Sequence, residues 1–458
     1  MPHHDLLIIG AGSGNSIIGP EHDDWDVAVA EPWAFGGTCM NRGCIPSKML
    51  VYAADVSLAA RHGDHLGLRT TAGQADWPAI RDRIFGRIDP IADAGLAYRQ
   101  SLDNVTVYRH VARFTGDRTV MLNETEVTAD RVVLAMGART AVPPIDGLAD
   151  VPFRTSDDVM RIDSLPEHLV ILGGGFIAVE MAHVFEGLGS RVTIVHRGDL
   201  LLRGADTDVR RRLTEVYGAR MNVLLETTVS HVGHETDETN AGRRSGTFHL
   251  EMSDGTLLEA DQLLVATGRI PNGDLADVAL GGIDVDKLGY VTTDEQLRTS
   301  VDGVWALGDV TNPVQLKHTA NAEARLVAHN LVHPDDPWSV DRRFVPHAVF
   351  GHPQVGSIGP TEQQLVDSGR PYLVAIRDYA ATAYGWAMED TTGFAKVMAD
   401  PDTRLLLGAH IVGPQAPTLV QQLIQGMVAG QTVDQMAHDQ LWIHPAMPEL
   451  VEQALLAL

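Results

Sequence analysis

Short, wholly apolar runs alternate with glycine-rich turns along this chain, the pattern of strands buried on both faces of a parallel sheet. Residues 6–9 form one such run and lead into Gly10-Ala-Gly12-Ser13-Gly14-Asn15. Residues 169–172 form another and lead into Gly173-Gly-Gly175-Phe176-Ile177-Ala178. Each predicts strand, tight turn and helix, an arrangement that offers backbone N–H groups and a helix N-terminus to a pyrophosphate. In the first, Asn15 stands at the third glycine position and Pro20 stops the helix early, ahead of the acidic stretch 21–24. Residues 132–137 and 263–268 are further strand runs, ending in Gly137 and Gly268. Residues 304–309 place Asp309 at a strand's C-terminal edge, where open α/β sheets bind ligands. The polar stretch 235–246 predicts a hairpin loop. From about Pro337 the pattern becomes strands at 372–376, 394–398 and 405–412, with amphipathic helices such as 418–429, as in a separate α+β domain.

The strand ends beyond the two glycine turns sharpen the picture. The strand after the first ends in Glu31, about 20 residues on, where a carboxylate holds a ribose hydroxyl. The strand after the second ends in His196-Arg197, with Arg203 close behind and no acid. Bases there suit a 2′-phosphate, so the second site is expected to prefer NADPH over NADH.

At 458 residues, two to four domains are expected, and 44% hydrophobic residues allow a large core. A net charge of −25 argues against nucleic acid or an anionic membrane as partner. A polar start with no signal peptide and no long apolar run point to a soluble, cytoplasmic protein with no membrane association.

Both cysteines, Cys39 and Cys44, fall in one glycine-flanked segment, Gly36-Gly37-Thr38-Cys39-Met-Asn-Arg-Gly43-Cys44-Ile-Pro-Ser-Lys48. On a regular helix, positions five apart are roughly 8–9 Å between Cα atoms, whereas a disulfide tolerates at most about 7 Å. The pair can close only if the backbone bends between them, and Gly43 permits that. Pro46 suits the first turn of a following helix, which would put Cys44 near a helix N-terminus, where thiolates are stabilised. No second cysteine pair exists to complete a zinc site, so no metal is expected. A structural disulfide over so small a loop would constrain the unfolded chain little. Two unrelated buried thiols remain the alternative to redox work.

These residues together resemble the pyridine nucleotide–disulfide oxidoreductases, the family of glutathione reductase and dihydrolipoamide dehydrogenase. The resemblance spans essentially the whole chain. Residues 12–17, 85–91, 384–390 and 441–450 look most like the branch that reduces mycothione, an uncharged thiol–sugar disulfide. It implies two doubly wound dinucleotide-binding domains, for FAD and NADPH, plus a C-terminal α+β dimerisation domain. The implied division is 1–155 and 276–336 for FAD, 156–275 for NADPH and 337–458 for the interface. FAD would lie at Gly10, Gly12, Ser13, Gly14, Glu31, Gly37, Thr38, Lys48, Gly137, Asp309, Lys317 and His318. NADPH would lie at Gly173, Gly175, Phe176, Ile177, Glu180, Arg197, Arg203 and Gly268.

By the same resemblance, electrons would pass from NADPH through FAD to a Cys39–Cys44 disulfide, with Cys44 facing the flavin and Cys39 attacking a small-molecule disulfide. Lys48 would pair with Glu180, and the helix starting near Lys317 would point at the flavin. His444, oriented by Glu449, would act as acid/base on the interchange thiol of the other subunit, which requires a homodimer sharing its active sites. Of relatives, mercuric reductase would bring a second cysteine pair, which is missing. Glutathione reductase would carry arginines after the first fingerprint, where Pro20 and Glu21 stand instead. The runner-up is NAD-dependent dihydrolipoamide dehydrogenase, whose second-site strand ordinarily ends in glutamate. A redox-inactive flavoprotein subunit is the rival from another class.

Overall fold

The computed structural model describes residues 1–71, 73–236 and 246–458. The first sheet runs Val105–Tyr108, Val27–Ala30, His3–Ile9 and Thr125–Leu134, all parallel. Val304–Ala306 returns from far along the chain to pair with the C-terminal half of Thr125–Leu134, while Thr119–Leu122 and Ala112–Gly116 extend its other half antiparallel. Alternation across the pleat explains the unbroken apolar runs. Leu7, Ile9, Ala28, Ala30, Val132 and Leu134 fill a core on one face, and Leu6, Ile8, Val27, Val29 and Val133 fill another on the opposite face.

The second parallel sheet runs Asn222–Leu224, Arg191–Val195, His168–Leu172, Gln262–Val265. A three-stranded antiparallel sheet lies beside it in sequence, in which Val229–Thr236 pairs with Gly246–Met252; the predicted loop between them falls outside the described residues. A five-stranded antiparallel sheet occupies the C-terminal part, ordered His347–Val349, Val355–Ile358, Leu406–Val412, Phe394–Ala399, Leu373–Asp378. Among the described residues no helix is long and apolar enough to cross a membrane.

Six helices matter for the site: α1 (Gly37–Arg42), α2 (Cys44–Arg61), α3 (Trp77–Gln100), α4 (Phe176–Leu188), α5 (Thr207–Arg220) and α6 (Lys317–Val332). α2 and α4 pack closely: a Cβ on Gly187 would sit 2.8 Å from that of Ala54. Asp55 and the fully buried His183 meet across the same contact at 2.9 Å.

One expectation fails here. After Gly12 the chain forms a 3₁₀ turn, Ser13–Ser16, and then a second, Pro20–His22, instead of an α-helix. Gly19-Pro20 closes the helical route, and Ile17 turns into the core at 2% exposure. The carbonyls that a helix would have satisfied internally are taken by a distant side chain. Arg99, from the last turn of α3, donates to Asn15 Oδ1 at 2.8 Å, to Asn15 O at 2.7 Å and to Ile18 O at 3.4 Å.

The C-terminal sheet is tied to the N-terminus of α5 by an ion cluster around a buried lysine. Lys396, 1% exposed, places Nζ 2.9 Å from Asp206, 2.6 Å from Asp208 and 2.6 Å from Glu362. Asp206 also caps α5 by accepting the Asp208 N–H and accepts the Glu362 N–H.

Candidate active site

The cysteine segment is built as two helices meeting at one glycine. α1 carries Cys39 and ends at Arg42; α2 starts at Cys44; Gly43 stands between them at φ −142°, ψ −117°. A Cβ on Gly43 would lie 2.8 Å from the Thr38 carbonyl oxygen, so the bend requires glycine. Upstream, Gly37 adopts φ +62° with the Gly12 Cα 2.7 Å from where its Cβ would be. The cysteine helix and the first glycine turn therefore touch backbone to backbone.

Both thiols are free in this structure, which therefore shows the pair in its dithiol form. They perturb one another in opposite senses. A hydrogen bond from Cys39 lowers the Cys44 thiol to about 7 against the opposing effect of burial, and the Lys48 charge adds to the lowering. The same hydrogen bond, with burial, pushes Cys39 far up. In the dithiol form Cys44 therefore ionises first and Cys39 keeps its proton longer.

Lys48, one turn into α2 from Cys44, places Nζ 2.6 Å from Glu180 Oε2 on α4. The other Glu180 oxygen accepts the Phe350 N–H at 3.0 Å, and the Lys48 ammonium lies 4.6 Å from the Phe350 ring centre. Glu180 is 6% exposed, so a buried carboxylate is paired with a lysine that faces the cavity.

These groups open on one cavity of about 2390 Å³. It brings together Cys39, Cys44, Lys48 and Glu180 with Gly10, Gly12, Ser13, Glu31, Gly37, Thr38, Gly137, Asp309, Lys317 and His318, and with Phe176 and Ile177 at the head of α4. Gly14 lies behind it, with Ala135 Cβ 2.7 Å from where its own would be. Glu31 accepts the N–H groups of Ala11 and Trp33 at 2.8 and 3.0 Å, so it anchors the glycine turn as well as facing the cavity. Asp309 sits in the 3₁₀ turn after Val304–Ala306, and burial raises its pKa while Arg269 and Lys317 oppose the rise. Lys317 donates to Ser13 Oγ at 2.8 Å. Two of the lining residues, Ser156 and Asp157, each keep a buried oxygen, Oγ and Oδ1, without a hydrogen-bond partner. Backbone turns free of side chains, a half-buried carboxylate and orphaned polar atoms in one long cavity fit a dinucleotide such as FAD. Ser156, Asp157 and Arg269 escaped the sequence reading, because nothing in their local pattern marks them. Arg42, between the cysteines, stacks 5.5 Å from the Trp33 ring and pairs with Asp157 at 3.5 Å.

At the second glycine turn, Gly173 has φ +127° with Ala266 O 2.2 Å from its would-be Cβ, while the space above Gly175 is open. Here the helix is complete, and α4 begins directly after Gly175. The His196 ring fills the side of Gly174, and Arg197 and Arg203 are exposed nearby. That arrangement fits a pyrophosphate on α4 and a phosphate beyond it. Gly173, Gly175, Gly268, Arg197 and Arg203 do not line the main cavity, although Gly204 does.

His444 and Glu449 are brought to each other but not to the cysteines within one chain. His444 Nδ1 lies 2.7 Å from Glu449 Oε1, whose other oxygen accepts the Ala446 N–H at 3.2 Å. Glu449 is buried, whereas the His444 side chain is 71% exposed, flanked by exposed Leu441 and Ile443. Neither residue lines the cavity.

Residues 4–324 match the family model described as pyridine nucleotide-disulphide oxidoreductase, and residues 345–455 match the dimerisation domain of that family. A mycothione reductase of Mycobacterium tuberculosis is 46% identical over the full length of both chains. A dihydrolipoyl dehydrogenase of Haloferax volcanii is 30% identical over 98% of this chain and 95% of its own. Among solved structures, the HOCl-induced flavoprotein disulfide reductase RclA from Escherichia coli superposes with a TM-score of 0.87 at 27% identity, covering 99% of each chain. With both family models matched and its cysteines, glycine turns and Lys48–Glu180 pair in one cavity, the chain belongs to the pyridine nucleotide–disulphide oxidoreductases.

Proposed function

We propose that this chain is an NADPH-dependent, FAD-containing disulfide reductase that converts mycothione to mycothiol, and that it works as a homodimer whose active sites are shared between subunits. The observation that carries the reading is the single cavity joining both thiols and the Lys48–Glu180 pair to the first glycine turn and the head of α4. Mycothione as substrate rests on the 46% full-length likeness, against 30% for the dihydrolipoyl dehydrogenase. It also rests on residues 13–22, which carry no arginine of their own and hold Pro20 and Glu21 where the glutathione branch carries arginines.

FAD would be held by the first glycine turn, Glu31, Gly37, Thr38, Lys48, Gly137, Asp309, Lys317 and His318. NADPH would be held by Gly173, Gly175, Phe176 and Ile177 at α4, beside Glu180 and Gly268, with Arg197 and Arg203 at its 2′-phosphate. When bound, the two supply the electron pair that opens a Cys39–Cys44 disulfide. The chain's own residues do the thiol chemistry. Cys39 sulfur attacks one sulfur of the substrate disulfide, forming a mixed disulfide and expelling the other half as a thiolate. Because Cys44 holds the Cys39 thiol well above its usual range, a base must take that proton. The partner's His444, steered by its own Glu449, would accept it and pass it to the departing thiolate. The Cys44 thiolate then attacks Cys39 sulfur, closing the Cys39–Cys44 bond and releasing the second half as a thiolate, which takes its proton from solvent.

Steady-state turnover with mycothione, glutathione disulfide and lipoamide, each with NADPH and with NADH, tests the reading. Mycothione with NADPH should give the highest kcat/KM. A preference for lipoamide with NADH would transfer the assignment to the dehydrogenase branch.

A further inference from the structure

The first glycine turn should present a helix N-terminus to a diphosphate, yet only the 3₁₀ turn Ser13–Ser16 follows it. A short turn carries little of the macrodipole that a full helix aims at an anion. We propose that Arg99 replaces the missing helix end, supplying from behind the Ser13–Ser16 turn the positive charge that holds the diphosphate of FAD. The proposal rests on the reading of FAD at the first glycine turn.

Among the described residues two cations are buried, Lys396 and Arg99, and they are treated in opposite ways. Lys396 is surrounded by three carboxylates. Arg99, at 8% exposure, has only neutral acceptors: Asn15 Oδ1, Asn15 O and Ile18 O. A desolvated guanidinium without a counter-ion is costly unless an anion comes within range. The residue it grips lies two positions from Ser13, on the cavity wall, where Lys317 donates to Ser13 Oγ at 2.8 Å from the other side. Two cations thus converge on one turn from front and back. At the second glycine turn the contrast holds: α4 runs a full 13 residues from Gly175, and no buried arginine stands behind it.

Arg99 is therefore a positioning residue with a charge role, and the two parts separate by substitution. Arg99→Lys keeps the charge and loses the forked hydrogen bonds; Arg99→Gln keeps a donor and loses the charge. Binding of FAD to the apoprotein is read by quenching of flavin fluorescence, with far-UV circular dichroism and NADPH affinity as controls of the fold. Arg99→Gln should weaken FAD binding about tenfold or more, and Arg99→Lys by no more than about threefold. If Arg99→Gln does not fold, Asn15→Asp serves: it keeps both hydrogen bonds while cancelling the guanidinium charge, and should weaken FAD binding to a similar degree. Equal losses in the Lys and Gln variants would make Arg99 a loop clamp and overturn the proposal, as would unchanged affinity in Arg99→Gln or Asn15→Asp. A wild-type apoprotein that binds no FAD would overturn the FAD reading itself.

Discussion

Cys44 and Cys39 share a hydrogen bond, and the sharing sets their division of labour. A thiol held near 7 is substantially ionised at neutral pH, while its neighbour stays protonated. The sign of the pH dependence follows: the Cys44 thiolate persists above about pH 7 and is lost as pH falls below it. Alkylation of the reduced protein by iodoacetamide should therefore show a midpoint near 7, mapping to Cys44 by mass spectrometry. Lys48→Met should move that midpoint upward, because the ammonium contributes to the lowering. An unmoved midpoint would mean that Cys39 alone sets it. At this scale motif positions grouped side chains that the fold does bring together: Cys39, Cys44, Lys48 and Glu180 line one cavity, and His444 lies 2.7 Å from Glu449. What the sequence hid were residues acting through space, such as Phe350, whose N–H orients Glu180 from 170 positions away.

Among the elements, the joint between α1 and α2 depends on one missing methyl group. Gly43→Ala would bring a Cβ to 2.8 Å from a backbone oxygen, which cannot rotate out of the way. The cost should be about 1–3 kcal/mol, read as a lower urea midpoint at unchanged m-value. The local pattern predicted this bend, since a disulfide at that spacing excludes a straight helix. It likewise predicted the strand, turn and helix around Gly173. The first glycine turn misled, because strand and glycines look alike in the two cases. Gly19-Pro20 hinted at a short helix, but the arginine that makes its absence tolerable comes from residue 99. A long-range hydrogen bond leaves no trace in periodicity.

Across the whole molecule, Lys396 couples the C-terminal sheet to the N-terminus of α5. Lys396→Met would leave the buried Asp206, with the half-buried Asp208 and Glu362 beside it, without a cation. Removing one partner from a buried ion cluster costs about 3–5 kcal/mol, so this variant should unfold well below wild type in urea. Residues 394–398, Phe-Ala-Lys-Val-Met, read as an ordinary strand and gave no warning that the lysine points inward. The proposed sharing of active sites has its own signature. Cys39→Ser and His444→Ala homodimers should each be inactive, yet subunit exchange between them should restore about a quarter of wild-type sites. A histidine acting within its own chain would restore none.

The strand Thr125–Leu134 is flanked by His3–Ile9 early in synthesis, but the second neighbour of its C-terminal half, Val304–Ala306, emerges 170 residues after Leu134. At about 5–20 residues per second, the nascent chain waits on the order of ten to thirty seconds with that edge open. The edge is apolar, carrying Val132, Val133 and Leu134, and unpaired edges of this kind recruit other chains. A fragment ending at residue 300 should accordingly aggregate when expressed, whereas supplying 301–340 in trans should raise its soluble yield. Translation speed through the second glycine turn thereby becomes a determinant of how much of the first sheet is ever completed.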